Sequence, residues 1–137
     1  SVVLWGANYF AGAVPHGTWL VWDKRFANGK AWLSDAELAW MKGGTGVYIF
    51  AETSQGFVRP EPVQHPTQKP VSVLRWCIEK SKAGDRILDP FLGSGTTMVA
   101  AEQLGRICYG MEIEPKYVAV TLERMSGMGL VPKLVSD

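Results

Sequence analysis

The chain has 137 residues, a formal net charge of +1 and 47% hydrophobic residues, which is the size and composition of one globular domain. Near-neutral charge gives no support for a dedicated nucleic-acid binder with a strongly basic face, although it does not exclude nucleic acid. Cys77 and Cys108 lie in apolar runs without CxxC spacing, which is typical of buried thiols in a reducing cytosol. No apolar run is long enough to span a membrane, so we expect a soluble, cytoplasmic protein.

Residues 1–51 alternate short apolar runs with glycine, proline and polar clusters. Strands are predicted at residues 2–5, 19–22 and 47–50, which are rich in valine, isoleucine and aromatic residues. Residues 37–40 form either a further strand or a short helix capped by Ser34. A short helix is predicted at residues 8–14, ended by Pro15.

Residues 52–70 carry four prolines and show no periodicity, which predicts a long connecting loop. After it the pattern becomes regular. Helices are predicted at residues 71–81, 94–104 and 114–125, and strands at residues 86–89 and 107–112. Helices and strands that alternate with short connections are typical of parallel βαβ units, so the sequence predicts an α/β domain.

The strongest chemical signal is the run Asp-Pro-Phe-Leu-Gly-Ser-Gly-Thr-Thr at residues 89–97. A strand ends at Asp89, a turn containing Gly93 and Gly95 follows, and a helix opens at once. Backbone N–H groups and the helix N-terminus therefore face the carboxyl end of the strand, where a ligand approaches the main chain. Glu112 ends the next strand, 23 positions after Asp89, which is where an acid binds a ribose diol.

Several interpretations of this loop compete. A Walker phosphate loop needs a lysine after Gly95, where Thr96 stands, and a dinucleotide loop needs a third glycine, where Met98 stands. A nucleoside cofactor without a pyrophosphate, such as S-adenosylmethionine, fits the remaining pattern. A tight strand-to-helix turn without any ligand stays open as well.

Together, three ordered motifs carry a family resemblance. They are His-Pro-Thr-Gln-Lys-Pro at residues 65–70, the glycine loop at residues 89–97, and Gly-Met-Glu-Ile-Glu-Pro-Lys-Tyr at residues 110–117. They closely resemble the C-terminal half of beta-class, amino-methylating DNA methyltransferases, in which the cofactor motif follows the catalytic one. Residues 5–10, 19–24 and 34–40 resemble the corresponding part of phage-encoded members.

The resemblance implies a Rossmann-like methyltransferase fold with a mixed, mostly parallel sheet and an S-adenosylmethionine site. The implied cofactor-binding residues are Thr67, Lys69, Asp89, Phe91, Gly93, Ser94, Gly95, Thr96 and Glu112. Glu112 would hold the ribose, and Thr67 and Lys69 would contact the methionine end, where a lysine neutralises the carboxylate. Without the resemblance, residues 65–70 predict only a proline-stiffened lead into the next helix.

The substrate side is implied to lie in residues 1–51 and the cofactor side in residues 71–125 of one partial domain, 1–137. The implied DNA contacts are Asn8, Tyr9, Phe10, Lys24 and Arg25. Core packing explains the aromatic residues equally well, and a solvated loop explains the basic ones. His16 and His65 lack metal-ligand spacing, so no metal site is predicted.

The family's catalytic motif, an acid or amide followed by two prolines and an aromatic residue, does not occur in this sequence. In the family, its strand lies centrally, between the strands matched here to residues 2–5 and 86–89, so we expect an incomplete sheet. The chain is then part of a longer protein, or another copy or subunit supplies the strand, or the two strands pair directly. We favour the first two.

The predicted function is transfer of a methyl group from S-adenosylmethionine to an exocyclic amine of DNA, with adenine N6 preferred over cytosine N4. The transfer is expected to be direct, without a cysteine nucleophile. The alternative is a cofactor-binding subunit or inactive relative that needs another chain, and methylation of RNA or protein is a weaker third hypothesis. The expected setting is the cytoplasm of a bacterium, with a bacterial or phage gene, and the expected partners are DNA and a second copy or subunit.

Overall fold

The computed structural model describes residues 1–25, 34–52 and 68–135. The chain divides into two compact units, Ser1–Glu61 with Trp76–Ala83 and Pro62–Arg75 with Gly84–Asp137. Helix α1, Val71–Lys80, contributes its first half to the second unit and its second half to the first. In the described ranges, no helix combines the length and the apolar character needed to cross a bilayer.

The first unit is built on a mixed sheet. Its strands are β1 (Val3–Trp5), β2 (Gly17–Asp23) and β3 (Ala36–Ala51). β3 turns back on itself at Gly43 and Gly44, whose φ angles of 85° and 69° favour glycine. β2 therefore pairs with both halves of β3, since Trp19 lies opposite Trp40 in the first half and opposite Val47 in the second. The pairing is antiparallel along the first half and parallel along the second, and β1 adds to the first half in the antiparallel sense.

The predicted strands at 2–5, 19–22 and 47–50 are confirmed. Residues 37–40 belong to β3, so the alternative of a helix capped by Ser34 is wrong. The Ser34 hydroxyl instead donates to the Ala36 carbonyl at 3.2 Å, within the approach to the strand. The predicted short helix is a 3₁₀ helix, Ala7–Ala13, which is interrupted at Phe10.

The core of the first unit follows the two-residue period of β2, in which alternate residues are buried. Leu20 of β2, Ala39 of β3 and Cys77 of α1 form its centre. The indole N–H of Trp22 donates to the Glu52 carbonyl at 2.7 Å, so this buried ring has a polar partner. Large side chains from the sheet and from α1 thus share one apolar core.

The second unit is a βαβα arrangement. It comprises β4 (Arg86–Asp89), α2 (Thr96–Gln103), β5 (Ile107–Gly110) and α3 (Pro115–Gly127). β4 and β5 are parallel, with Asp89 opposite Gly110, which confirms the predicted βαβ unit. Both strands are shorter and more exposed than β2: Leu88 is 67% exposed and Tyr109 54%. One face of this two-stranded sheet therefore carries apolar side chains that the described residues do not cover.

Candidate cofactor site

The glycine loop crosses the carboxyl ends of β4 and β5. The Leu92 N–H donates to the Met111 carbonyl at 2.9 Å, which ties the loop to the end of β5. Gly93 and Gly95 have φ angles of 57° and 79°, which side chains rarely adopt. A Cβ at Gly95 would lie 2.7 Å from the Thr121 side chain. Glycine at this position is therefore required both by the backbone and by the packing of α3 against the loop.

Glu112 holds the loop with its carboxylate. Its Oε2 accepts from the Gly93 N–H at 2.7 Å, and its Oε1 accepts from the Glu114 N–H at 2.9 Å. Hydrogen bonds from main-chain N–H groups to a carboxylate are among the stronger ones in proteins. A carboxylate can accept several hydrogen bonds, so holding the loop and binding a ligand are compatible roles for this type of side chain. The sequence predicted the ligand contact and missed this structural one.

Asp89 lies at the last position of β4, half-buried beneath the loop. Its Oδ1 accepts from the Phe91 N–H at 3.0 Å, which shapes the turn into the loop. Burial raises the pKa of the Cys108 thiol to about 11, and the negative charge of Asp89 contributes to the same shift. Cys108 is therefore protonated at neutral pH, while Cys77 is buried in the core of the first unit and forms no disulfide.

A buried polar network supports the loop from the side of α1 and α3. Four of the five buried polar side chains in the described part of the chain belong to this region: Gln68, Ser94, Thr96 and Thr121. The Ser94 hydroxyl donates to Oε1 of Gln68 at 3.0 Å. Arg124 Nη1 donates to the Ser94 carbonyl at 2.7 Å and to the Thr96 hydroxyl at 3.2 Å. Buried polar groups cost stability unless they are paired, so this concentration of paired groups stiffens the loop.

Most of the predicted cofactor residues therefore share one hydrogen-bonded structure. The hydrogen bonds and packing contacts described above connect six of them: Asp89, Gly93, Ser94, Gly95, Thr96 and Glu112. Phe91 lies on the same loop with 88% of its surface exposed, and Lys69 follows the buried Gln68 directly. Thr67 lies outside the described residues. Gln68 and Arg124 were missed: Gln68 stands inside a motif whose chemistry was assigned to its neighbours, and no local pattern marks Arg124.

The predicted substrate residues lie in the first unit. Asn8, Tyr9 and Phe10 are exposed in the 3₁₀ helix that follows β1, and Tyr9 is 89% exposed. In the described residues, Tyr9 is therefore not part of the core, which was the alternative explanation for it. An exposed aromatic ring in this position is available to stack on a planar ligand.

The two predicted phosphate contacts both have acidic partners. Arg25 forms a two-point ion pair with Asp23, at 2.9 and 2.7 Å, and Lys24 pairs with Glu37 at 3.4 Å. Hydrogen bonds from Arg25 lower the pKa of Asp23 from 3.8 to about 2, and Asp23 in turn raises the pKa of Arg25. A phosphate would have to compete with these carboxylates. Within residues 1–25, 34–52 and 68–135, no cluster of histidine, cysteine or acidic side chains is arranged to hold a metal ion.

Comparisons with known proteins agree on one family. A family model described as DNA methylase, for N6- and N4-methylating enzymes, matches residues 16–123. The type II methyltransferase M2.DpnII of Streptococcus pneumoniae is 48% identical over 63 residues, which are 45% of this chain and 24% of that protein. M2.LlaDCHI of Lactococcus lactis subsp. cremoris is 45% identical over 64 residues, 46% of this chain and 24% of that protein. The match thus spans about a quarter of the length of these relatives.

Two solved structures share the fold. The crystal structure of the M1.HpyAVI complex with S-adenosylmethionine matches with a TM-score of 0.63 and 22% identity, over 90% of this chain and 72% of that one. TTHA0409 of Thermus thermophilus, described as a DNA modification methylase and crystallised with S-adenosylmethionine, matches with a TM-score of 0.52 and 25% identity. That match covers 80% of this chain and 52% of TTHA0409. The predicted Rossmann-like methyltransferase fold is confirmed.

Proposed function

The chain belongs to the N6/N4 DNA methylase family, and we propose that its second unit binds S-adenosylmethionine for methyl transfer to adenine N6 in DNA. The observation that carries the proposal is the meeting of Asp89, the glycine loop and Glu112 at the carboxyl ends of two parallel strands. In parallel α/β sheets this edge is where nucleotide-like ligands bind. Relatives named as type II methyltransferases and a matching structure complexed with S-adenosylmethionine support the same conclusion.

The chemistry of the donor set fits this cofactor. Glu112 presents a carboxylate fixed by two main-chain N–H groups, and a carboxylate is the group that accepts hydrogen bonds from a ribose diol. Phe91 lies two positions after Asp89 and Ile113 directly after Glu112, and these side chains, 88% and 92% exposed, offer apolar surface for an adenine ring. Lys69 supplies a cation for the methionine carboxylate, and Thr67 is proposed to assist it. No phosphate-binding lysine follows Gly95, in agreement with a cofactor that lacks phosphate.

Bound S-adenosylmethionine would supply an electrophilic methyl group on a sulfonium. The chain's own residues would position that group and exclude covalent chemistry with the enzyme. Cys108 has a pKa raised to about 11, and Cys77 is buried in the core of the first unit. A thiolate is the nucleophilic form of cysteine, so the raised pKa makes Cys108 unsuited to attack at neutral pH, and burial shields Cys77 from a substrate. This supports direct transfer to the base.

For the DNA side, we propose that Tyr9 stacks on a base that has left the double helix, with Asn8 and Phe10 beside it. Enzymes that modify exocyclic amines extrude the target base and hold it against aromatic side chains. The 89% exposure of Tyr9 leaves its ring available for such a contact. Lys24 and Arg25 stay predictions as phosphate contacts, since each is held by a carboxylate.

A second candidate function is a cofactor-binding subunit that acts only with another copy or another chain. The specific observation is the exposed apolar face of β4 and β5, formed by Leu88, Ile107 and Tyr109. The sequence also lacks the acid-Pro-Pro-aromatic motif that the family resemblance leads us to expect. In the described residues β1 and β4 belong to separate sheets, so the third possibility, direct pairing of these two strands, is not observed.

Calorimetric titration with S-adenosylmethionine tests the site. Glu112→Ala and Asp89→Ala should each weaken binding by about tenfold or more, because hydrogen bonds to charged groups contribute about 1.5–3 kcal/mol. Glu123→Ala is the matched control, since Glu123 is an exposed acid on α3. Equal affinities of wild type and the two site variants would contradict the proposal that Asp89 and Glu112 bind the cofactor.

Incubation with DNA and labelled cofactor separates the two functions. Transfer by this chain alone, with N6-methyladenine as the product nucleoside, supports the enzyme and contradicts the subunit hypothesis. N4-methylcytosine as the product would replace adenine by cytosine in the proposal. Cofactor binding without transfer, restored by a second chain, would favour the subunit.

A further inference from the structure

Gln68 occupies an unusual position for an amide side chain. It is 6% exposed, and its Oε1 accepts from the Ser94 hydroxyl at 3.0 Å across 26 positions of sequence. The next residue is Lys69, the cation assigned to the cofactor's carboxylate. We propose that Gln68 is a positioning residue, which fixes the main chain at Lys69 relative to the glycine loop so that the ammonium meets the carboxylate of S-adenosylmethionine. This inference rests on the function proposed above.

Ser94 is held from the opposite side by Arg124. The guanidinium donates to the Ser94 carbonyl at 2.7 Å, and the same Nη1 lies 3.5 Å from the Ser94 hydroxyl oxygen. Because that hydroxyl gives its proton to Gln68, its lone pairs are the part that faces Arg124. The cation therefore favours the orientation in which Ser94 donates to Gln68. A three-residue network of hydrogen bonds therefore connects the segment before α1, the glycine loop and α3. Its members are Gln68, Ser94 and Arg124.

This three-residue network affects ligand binding because lysine has a flexible side chain. An ammonium on a four-carbon stem loses considerable rotamer entropy when a ligand immobilises it. If the main chain at Lys69 is already fixed, the ammonium group has fewer positions open to it, so less conformational entropy is lost when the ligand binds. A buried hydrogen bond between residues far apart in sequence provides that fixation, whereas a surface contact would be exchanged with water.

If the three-residue network positions Lys69, breaking it should lower the affinity for one ligand and not for another. Methylthioadenosine has the nucleoside and the sulfur of the cofactor but lacks the amino-acid part that carries the carboxylate. A variant that only misplaces Lys69 should weaken S-adenosylmethionine and leave methylthioadenosine unaffected. A variant that distorts the glycine loop should weaken both ligands, since both bind through the ribose.

The experiment measures both affinities by calorimetry for wild type, Gln68→Met, Ser94→Ala and Lys69→Met. Gln68→Met and Ser94→Ala remove the same hydrogen bond from its two ends, and circular dichroism checks that each variant folds. We expect each to bind S-adenosylmethionine about tenfold more weakly, the effect of losing roughly one buried hydrogen bond, with methylthioadenosine affinity within about twofold of wild type. Gln68→Met combined with Lys69→Met should bind no more weakly than Lys69→Met alone, because residues that act through each other are not additive.

Equal losses for the two ligands, or losses that add in the double variant, would overturn the positioning role while leaving the cofactor site in place. Unchanged affinity for S-adenosylmethionine in Gln68→Met or Ser94→Ala has the same consequence. If one of these two variants does not fold, the other carries the test. Failure of wild type to bind either ligand contradicts the proposed function itself, so the two failures are distinguishable.

Discussion

The two units differ in how they treat their candidate functional residues. In the second unit, hydrogen bonds fix Asp89, Glu112 and Ser94 before any ligand is present. In the first unit, Tyr9 is exposed and Arg25 is paired with Asp23. Preorganised groups bind small ligands well because little freedom remains to be lost. The second unit therefore has the properties of a binding site for a small charged molecule, whereas the candidate residues of the first unit are either exposed or held by other side chains.

Individual strands also differ in how far they bury their apolar side chains. β2 of the first unit buries Leu20 and Trp22 completely or nearly so, whereas β4 of the second unit leaves Leu88 67% exposed, as β3 of the first unit leaves Ile49. Parallel sheets are normally covered on both faces. The second unit thus combines a well-ordered polar site with an apolar face that the described residues leave exposed.

The largest predicted effect contrasts two leucines on strands. Leu20→Ala should lower the free energy of unfolding by about 2–5 kcal/mol, because it leaves a cavity in a closed core. Leu88→Ala should change it by less than about 0.5 kcal/mol, as exposed substitutions do. Urea unfolding followed by circular dichroism measures both.

A loss above about 1.5 kcal/mol for Leu88→Ala would contradict the exposed face, since exposed substitutions rarely cost so much. If that loss grew with protein concentration, a second copy would be covering the face in solution. The same two variants therefore test whether the second unit is self-sufficient.

Sequence patterns were sufficient for the local structure. The helical spacing of residues 71–81 and the apolar run at residues 86–89 predicted α1 and β4 to within one residue. Glycines between a strand and a helix predicted the loop. β5 was predicted to reach residue 112 and ends at Gly110, because the chain must turn there for the Glu112 carboxylate to reach the Gly93 N–H.

Contacts between distant residues could not be predicted. Nothing in a local window selects Gln68 as the partner of Ser94, or Arg124 as the donor to the loop, because such pairs depend on tertiary packing. The two strands predicted at 37–40 and 47–50 are halves of β3 that enclose β2. Gly43 and Gly44 marked a break there, but their spacing does not indicate which strand the returning chain will join.

The next prediction compares two glycines of the second unit that share a positive φ. Gly105 has a φ of 64° and open space where a Cβ would stand, so Gly105→Ala should cost only the backbone strain, about 1 kcal/mol. Gly95 has a φ of 79°, and its added Cβ would meet Thr121 at 2.7 Å. Gly95→Ala should therefore cost about 2–4 kcal/mol, because overpacking adds to the strain.

Thermal unfolding with calorimetry measures the difference between the two variants. Gly95→Ala should also lose S-adenosylmethionine binding, whereas Gly105→Ala should keep it. Equal destabilisation by both substitutions would show that α3 does not pack tightly against the loop. The candidate residues of the second unit would then be less preorganised than the comparison of the two units states.

The smallest effect concerns the ion pair of the first unit and is read by pH. Because Arg25 lowers the pKa of Asp23 from 3.8 to about 2, the charged carboxylate stabilises the folded state fully above pH 3.8, and this contribution is lost as the pH falls through about 2. An NMR titration of the Asp23 carboxyl should therefore give a midpoint near 2 in wild type and a higher one in Arg25→Gln, still below 3.8 because the main-chain N–H of residue 25 continues to donate to Oδ1 of Asp23. A wild-type midpoint near 3.8 would show that the pair does not persist in solution. Arg25 would then be available to a phosphate, as the proposed DNA contact requires.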